Sequence, residues 1–129
     1  MDPMPLVTDE IEAGSEFLRL LNAKRRVIAA CWLRQEEGER YLNVALDGVN
    51  ADNKDDAYAD IRDAVNEMTD HYIDVFRIKV LSPDHRIARA ILDIYRHYPK
   101  RTPTRPSGGS FGGIPVADVY VYPPVCAVA

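Results

Sequence analysis

The sequence predicts an α+β fold: a two-layer domain with a mixed four-stranded sheet, in the order helix-strand-strand-helix-strand-helix-strand, with helices mainly on one face. Three observations carry this. Residues 26–47 form a period-two pattern broken once by a polar, Gly-bearing turn, the mark of a β-hairpin. Residues 57–68 place Ala57, Ile61, Ala64, Val65 and Met68 on one helical face. Residues 116–122 alternate again and end at Pro123-Pro124.

Residues 1–8 are expected to be a disordered lead-in, because Pro3 and Pro5 block regular structure. A first helix is expected at about residues 9–23. Its acidic start (Asp9, Glu10, Glu12) and basic end (Lys24, Arg25, Arg26) both suit the helix dipole. Ile11, Phe17, Leu18 and Leu21 give it an apolar stripe, interrupted at Gly14. In the hairpin, Val27, Ala29, Cys31 and Leu33 alternate with Ile28, Ala30, Trp32 and Arg34, and Leu42, Val44 and Leu46 alternate with Tyr41, Asn43, Ala45 and Asp47. A loop then leads into a helix over 55–69.

Residues 72–81 read as a third strand, rich in β-branched and aromatic side chains. The connection from strand 40–47 through helix 55–69 to this strand is expected to be a right-handed parallel crossover. Ser82-Pro83-Asp84 is a helix start: Ser82 can cap, Pro83 fits the first turn, and Asp84 meets the positive dipole end. Ile87, Ile91, Ile94, Tyr95 and Tyr98 form the buried stripe of that helix, which Pro99 stops. Residues 99–115 hold four prolines and four glycines and read as a long irregular connector. The domain therefore spans 9–122, with 123–129 as a tail and no internal repeat.

Composition narrows function by exclusion. The 129 residues suit one domain, and 47% hydrophobic with 28% charged content is ordinary for a globular protein. A formal net charge of −4 argues against general affinity for nucleic acid, which rests on neutralising phosphates. The N-terminal residues lack a basic region followed by an apolar core, so no secretory signal is expected. No apolar run approaches the ~20 residues of a membrane helix. Cys31 and Cys126 are too sparse for a disulfide scaffold. The expected location is the cytoplasm, with no membrane partner.

No catalytic constellation assembles, and no enzymatic activity is expected. His71, His85 and His97 lack metal-ligand spacing, so no metal and no cofactor are expected. The oxygens of Asp52, Asn53, Asp55 and Asp56 lack the central Gly and distal Glu of a calcium loop, and helix-dipole complementarity explains them. The stretch 107–113 is glycine-rich but has no Lys and lies between a helix and a strand, unlike a phosphate loop. Cys31, between Ala30 and Trp32, reads as a packing residue.

One surface stands out. If the helices cover the sheet face bearing Leu42, Val44, Leu46, Phe76, Ile78, Val119 and Val121, the other face receives Trp32, Arg34, Tyr41, Asn43, Val75, Arg77, Tyr120 and Tyr122. Aromatics with arginine are the types enriched in protein interfaces. Trp32, Arg34, Tyr41, Arg77, Tyr120 and Tyr122 are therefore the expected partner-binding residues, for a protein partner or a second copy of the chain. Weaker anion-binding candidates are Arg96, Lys100, Arg101 and Arg105, whose alternative role is dipole compensation at a helix end.

The stretches Ala29-Ala30-Cys31-Trp32-Leu33, Gly38-Glu39-Arg40-Tyr41-Leu42, Ile73-Asp74-Val75-Phe76 and Ile94-Tyr95-Arg96-His97-Tyr98-Pro99 resemble the C-terminal domain of the enhanced serine sensitivity (SseB) family. The resemblance covers roughly residues 15–99, and residues 100–129 depart from it. It implies a small α+β module without established catalytic residues. The expected function is a non-catalytic protein-interaction or regulatory domain using an open sheet face. The alternatives are a binder of phosphorylated metabolites, a hydrolase or transferase acting on such a substrate, and a single-stranded RNA binder with an aromatic sheet platform.

Overall fold

The structure, a computed structural model, describes residues 8–34, 39–68, 73, 75–97, 110, 111, 113–116 and 118–122. Helix α1 (Thr8–Lys24) leads into β1 (Val27–Arg34), which pairs antiparallel with β2 (Arg40–Leu46). Helix α2 (Lys54–Glu67) follows, then a 3-10 turn (Val75–Arg77), β3 (Ile78–Leu81) and helix α3 (Arg86–His97). Two short strands, β4 (Ser110–Phe111) and β5 (Ile114–Pro115), precede β6 (Asp118–Val121). The main sheet has the order β3-β2-β1-β6, with β2 and β3 parallel and the other pairs antiparallel. This is the α+β fold with a mixed four-stranded sheet that the sequence pattern predicts.

The arrangement of layers differs from expectation. Helices α1 and α2 cover one face, packing Phe17, Leu18, Leu21, Ala57, Ile61 and Ala64 onto Ala30, Trp32, Leu42, Val44 and Leu46. Helix α3 covers the other face: Ile87, Ala88 and Ile91, with Phe111, pack onto Ala29, Cys31, Leu33, Val119 and Val121. The face expected to be open is thus closed, and the domain has three layers rather than two. The sequence holds the reason. Residues 27–33 are apolar on both alternations, so neither face of β1 can stay in water without exposing several apolar side chains.

The sorting of residues between faces also changes. Residues directly opposite each other in an antiparallel pair share a face. Trp32 stands opposite Leu42, and Ala30 opposite Val44, so Trp32 belongs with the Leu42–Val44–Leu46 set and not across the sheet from it. Val119 and Val121 lie instead on the α3 face. A register shift between Val27 and Ala29 moves Val27 into the α1/α2 core, although strict alternation would place it beside Ala29.

Three local expectations are corrected. The strand expected over 72–81 is a strand only at Ile78–Leu81, because the 3-10 turn occupies Val75–Arg77. Helix α3 begins at Arg86 rather than in a first turn at Pro83 capped by Ser82. Residues 83 and 84 form a turn, closed by the His85 N–H donating to Ser82 O at 3.1 Å. The Ile87 N–H donates to His85 Nδ1 at 3.1 Å, so His85 takes the capping position. The connector expected to be irregular contains the β4–β5 pair around Gly113, whose φ of +79° favours glycine. Of the lead-in expected at 1–8, Thr8 belongs to α1, and residues 1–7 lie outside the described residues, as do the tail at 123–129, including Cys126, and His71 and Tyr98.

Gly14, which breaks the stripe of α1, is a contact position. A Cβ there would collide with the Tyr122 hydroxyl and sit 3.0 Å from Trp32 Nε1. The missing side chain lets α1 approach the sheet closely where the two aromatics lie. Arg25 Nε donates to Asp60 Oδ2 at 2.9 Å and Lys24 pairs with Glu67 at 2.6 Å, so the basic end of α1 is tied to α2.

Candidate functional site: a basic corner of the sheet

The candidate site is built where the hairpin opens. Arg34 ends β1 and Arg40 begins β2, and they stand directly opposite each other. Both share the α1/α2 face with Trp32 and Leu42, two residues along each strand. Arg77 reaches the same corner from the 3-10 turn. Its Nε and Nη2 donate to Arg40 O at 3.2 and 2.9 Å, and its Cζ lies 5.6 Å from the centre of the Trp32 ring. This fixes the guanidinium between a carbonyl and an aromatic face. Tyr120, opposite Trp32 on β6, completes the corner and makes an edge contact with Tyr122 at 5.1 Å between ring centres. Arg34, Arg40, Arg77 and Tyr120 are half-buried. Arg34 Nε is buried without a hydrogen-bond partner among the described residues.

Beneath the corner lies a polar relay. Trp32 Nε1–H donates to Tyr122 Oη at 2.8 Å, and Tyr122 Oη donates to Ile11 O at 2.7 Å. Tyr95 Oη donates to Tyr122 O at 2.6 Å, so Tyr122 is held by α1 through its hydroxyl and by α3 through its carbonyl. Trp32 and Tyr122 are buried. Their polar atoms are satisfied inside the protein, as burial of such groups requires.

The expected partner-binding residues therefore meet, with one exception and in a different setting. Trp32, Arg34, Arg77, Tyr120 and Tyr122 share the α1/α2 face, but Trp32 and Tyr122 are covered by α1 and cannot act as exposed anchors. Tyr41 is the exception. It stands opposite Leu33 and so faces the α3 side, where Lys79 Nζ lies 4.4 Å from its ring centre. Asn43, on that same side, is buried and its Nδ2 donates to Tyr41 O at 3.2 Å.

Two residues were misread or missed. Arg40 belongs to the corner, and the signal was its place at the strand start opposite Arg34. Phe76, expected in the core, is 84% exposed, the one large apolar side chain so exposed among the described residues. The 3-10 turn breaks the alternation that would have buried it. Of the weaker anion candidates, Arg96 is exposed on α3 with Asp93 at 3.8 Å, and Lys100, Arg101 and Arg105 lie outside the described residues.

Elsewhere the chemistry is sparse. Burial pushes the Cys31 thiol up to about 12, so it stays protonated and unreactive at neutral pH. Burial, with Lys54 and Arg86 nearby, lowers the His85 pKa, which suits the neutral acceptor that its cap needs. The Asn50–Asn53 loop is closed on itself: Asn50 Oδ1 accepts from the Asp52 and Asn53 N–H groups, and Asn53 Nδ2 donates to Gly48 O. No group of His, Cys, Asp and Glu fit to hold a metal occurs among the described residues. No helix among them is long and apolar enough to cross a membrane. Scans against the models of known protein families, the curated proteins and the solved structures each returned no match to this chain.

Proposed function

We propose that this protein is a non-catalytic binding module that works by contact with an acidic segment of a protein partner. The observation that carries the reading is Phe76. A large apolar side chain held 84% exposed on a tight turn, with Arg77 beside it and Lys79 two residues further on, has the makeup of an interface anchor with a cationic surround. The edge strand β3 begins just beyond it. Tyr58 Oη accepts the Val80 N–H at 3.2 Å, which occupies one donor of that strand. Side chains at the turn, rather than strand addition along β3, are then the basis of recognition. The resemblance to the enhanced serine sensitivity proteins supports the same reading, since it implies a small module with no catalytic residues to carry over. The aromatic platform needed for single-stranded RNA has little support, because Trp32 and Tyr122 are buried.

The test compares the full chain with Phe76→Ser, each immobilised and exposed to extract of the native cell, with sedimentation of both alongside. Phe76→Ser changes a side chain that is 84% exposed, so the fold should persist, as circular dichroism would verify. A specific partner held by the wild type and lost by the variant is the expected result. Concentration-dependent dimerisation abolished by Phe76→Ser would make the partner a second copy. Identical retention and identical mass for both proteins would overturn the proposal.

A further inference from the structure

We infer that Tyr41, Asn43 and Lys79 form a binding site for the free carboxyl terminus of a partner's segment. The inference rests on the partner reading for the carrier of that group, while its geometry lies on the α3 side of the sheet, away from the arginine corner. Asn43 and Lys79 are partners across the parallel β2–β3 pair, so they stand side by side at the strand spacing of about 4.8 Å. Tyr41, two residues before Asn43, shares their face. The core under α3 is built mainly on β1 and β6, with Ala45 from β2 and Leu81 from β3, and it includes none of the three.

Each of the three has polar capacity that the described residues leave unmet. Asn43 is 3% exposed, and its Nδ2 donates to Tyr41 O at 3.2 Å. That acceptor fixes the amide, since Oδ1 in the same place would face another oxygen. Asn43 Oδ1 then makes no hydrogen bond among the described residues and, unlike Arg34 Nε, is not sealed from solvent, so it is open to an incoming donor. Tyr41 Oη makes no hydrogen bond among them either. Lys79 is exposed, with its Nζ 4.4 Å from the Tyr41 ring centre. It makes no ion pair among the described residues, nor does Glu39, the described acid nearest Tyr41 in the chain. Arg40 and Arg77 belong to the opposite face, beside Trp32.

These groups define the ligand. A lysine ammonium with a tyrosine hydroxyl beside it takes an anionic oxygen. Asn43 Oδ1 asks for an N–H donor close to that oxygen. The last residue of a peptide offers both, because only its Cα separates its amide N–H from its carboxylate. A bare carboxylate offers the first alone, and an amidated peptide end the second alone.

The full chain, labelled with heavy nitrogen, is titrated with N-acetyl-alanyl-alanine, with its carboxamide and with acetate. The side-chain amide of Asn43 and the backbone amide of Lys79 are followed by NMR. The acid dipeptide should shift both signals saturably and bind about tenfold more tightly than the carboxamide or acetate, with affinity falling as salt rises. Lys79→Gln, at an exposed position, should weaken this binding about tenfold. Tyr41→Phe keeps the ring against Lys79 and loses the hydroxyl, so it should weaken binding less. Arg89→Gln, on the exposed side of α3, should leave it unchanged. Circular dichroism checks the fold of each variant, and the comparison of acid with carboxamide needs the wild type alone.

Phe76→Ser should leave dipeptide binding as it is. A responsive site together with identical partner retention would overturn the Phe76 reading alone, and a silent site together with a lost partner would overturn this inference alone. It is overturned equally by the same affinity for the acid and either control ligand, or by wild-type affinity in Lys79→Gln.

Discussion

The two faces of the sheet are built to different rules. Under α3 the contact is made of small and aliphatic side chains: Ala29, Cys31, Leu33, Ala45, Val119 and Val121 against Ile87, Ala88 and Ile91. Under α1 and α2 the core is larger and carries a polar thread, Trp32 to Tyr122 to Ile11, which ends beside a cluster of arginines. On the α3 face, where Asn43 is the one buried polar side chain among the described residues, the response is chiefly to lost volume. The threaded face responds also to lost hydrogen bonds, and it is the one that joins the core to the candidate site. The difference teaches where partner binding and stability should be coupled: through Trp32, which packs in the core on one side and meets Arg77 on the other.

Truncating the large buried group on each face tests this most severely. Trp32→Ala should cost about 3–5 kcal/mol, since it removes the largest fully buried side chain and leaves the Tyr122 hydroxyl without its donor. Ile91→Ala on the opposite face should cost about 2–5 kcal/mol through its cavity alone. Chemical denaturation measures both. If Ile91→Ala proves the more costly by a clear margin, the threaded face is not the stronger of the two.

A smaller effect isolates how closely α1 approaches the sheet. Gly14→Ala adds a good helix former, so propensity alone would stabilise α1 by about 1 kcal/mol. The new methyl group would strike Tyr122 Oη and press on Trp32, and we expect a net loss of about 1–3 kcal/mol by overpacking. A rise in melting temperature would show that α1 has room to move. Tyr122→Phe keeps the ring and removes the relay, leaving the Trp32 indole N–H without an acceptor. The expected loss is about 1–3 kcal/mol, with a shifted Trp32 emission as the independent sign.

The smallest effect belongs to the α3 side and depends on pH. His85 must be neutral for Nδ1 to accept the Ile87 N–H, and its folded pKa lies below the ordinary 6.5. The unfolded chain therefore binds the proton more readily. The contribution of the cap is complete above pH 6.5 and is lost as pH falls below that value through the folded pKa. Helix caps contribute about 0.5–2 kcal/mol, and His85→Ala should remove this part of the acid sensitivity. An unchanged slope of stability against pH between the two proteins would separate the cap from the titration.

Much of the fold was legible because it is written locally. The hairpin follows from alternation on either side of a polar turn, and α2 from the spacing of Ala57, Ile61 and Ala64. Strand β6 follows from Val119 and Val121 alternating with Tyr120 and Tyr122. Each signal needs only the geometry of one element, with period two for strands and 3.6 for helices. What lies between elements was not legible. The register shift at Val27 and Ala29 and the 3-10 turn at Val75–Arg77 each changed the side to which residues point, and no single-element pattern marks either. The turn exposed Phe76 and aimed Arg77 at Trp32.

By itself, then, the sequence determined where the hairpin, the three helices and the last strand of the main sheet form, and that Trp32, Arg34, Arg77, Tyr120 and Tyr122 share one region. Only the tertiary structure decided that α3 crosses to the second face, that Trp32 and Tyr122 are interior, and that Arg40 joins Arg34 and Arg77. The physical reason is that burial is a property of layers. A strand that is apolar on both sides asks for two covers, and which helix supplies each depends on contacts far apart in the chain, such as the one between Ile11 and Tyr122.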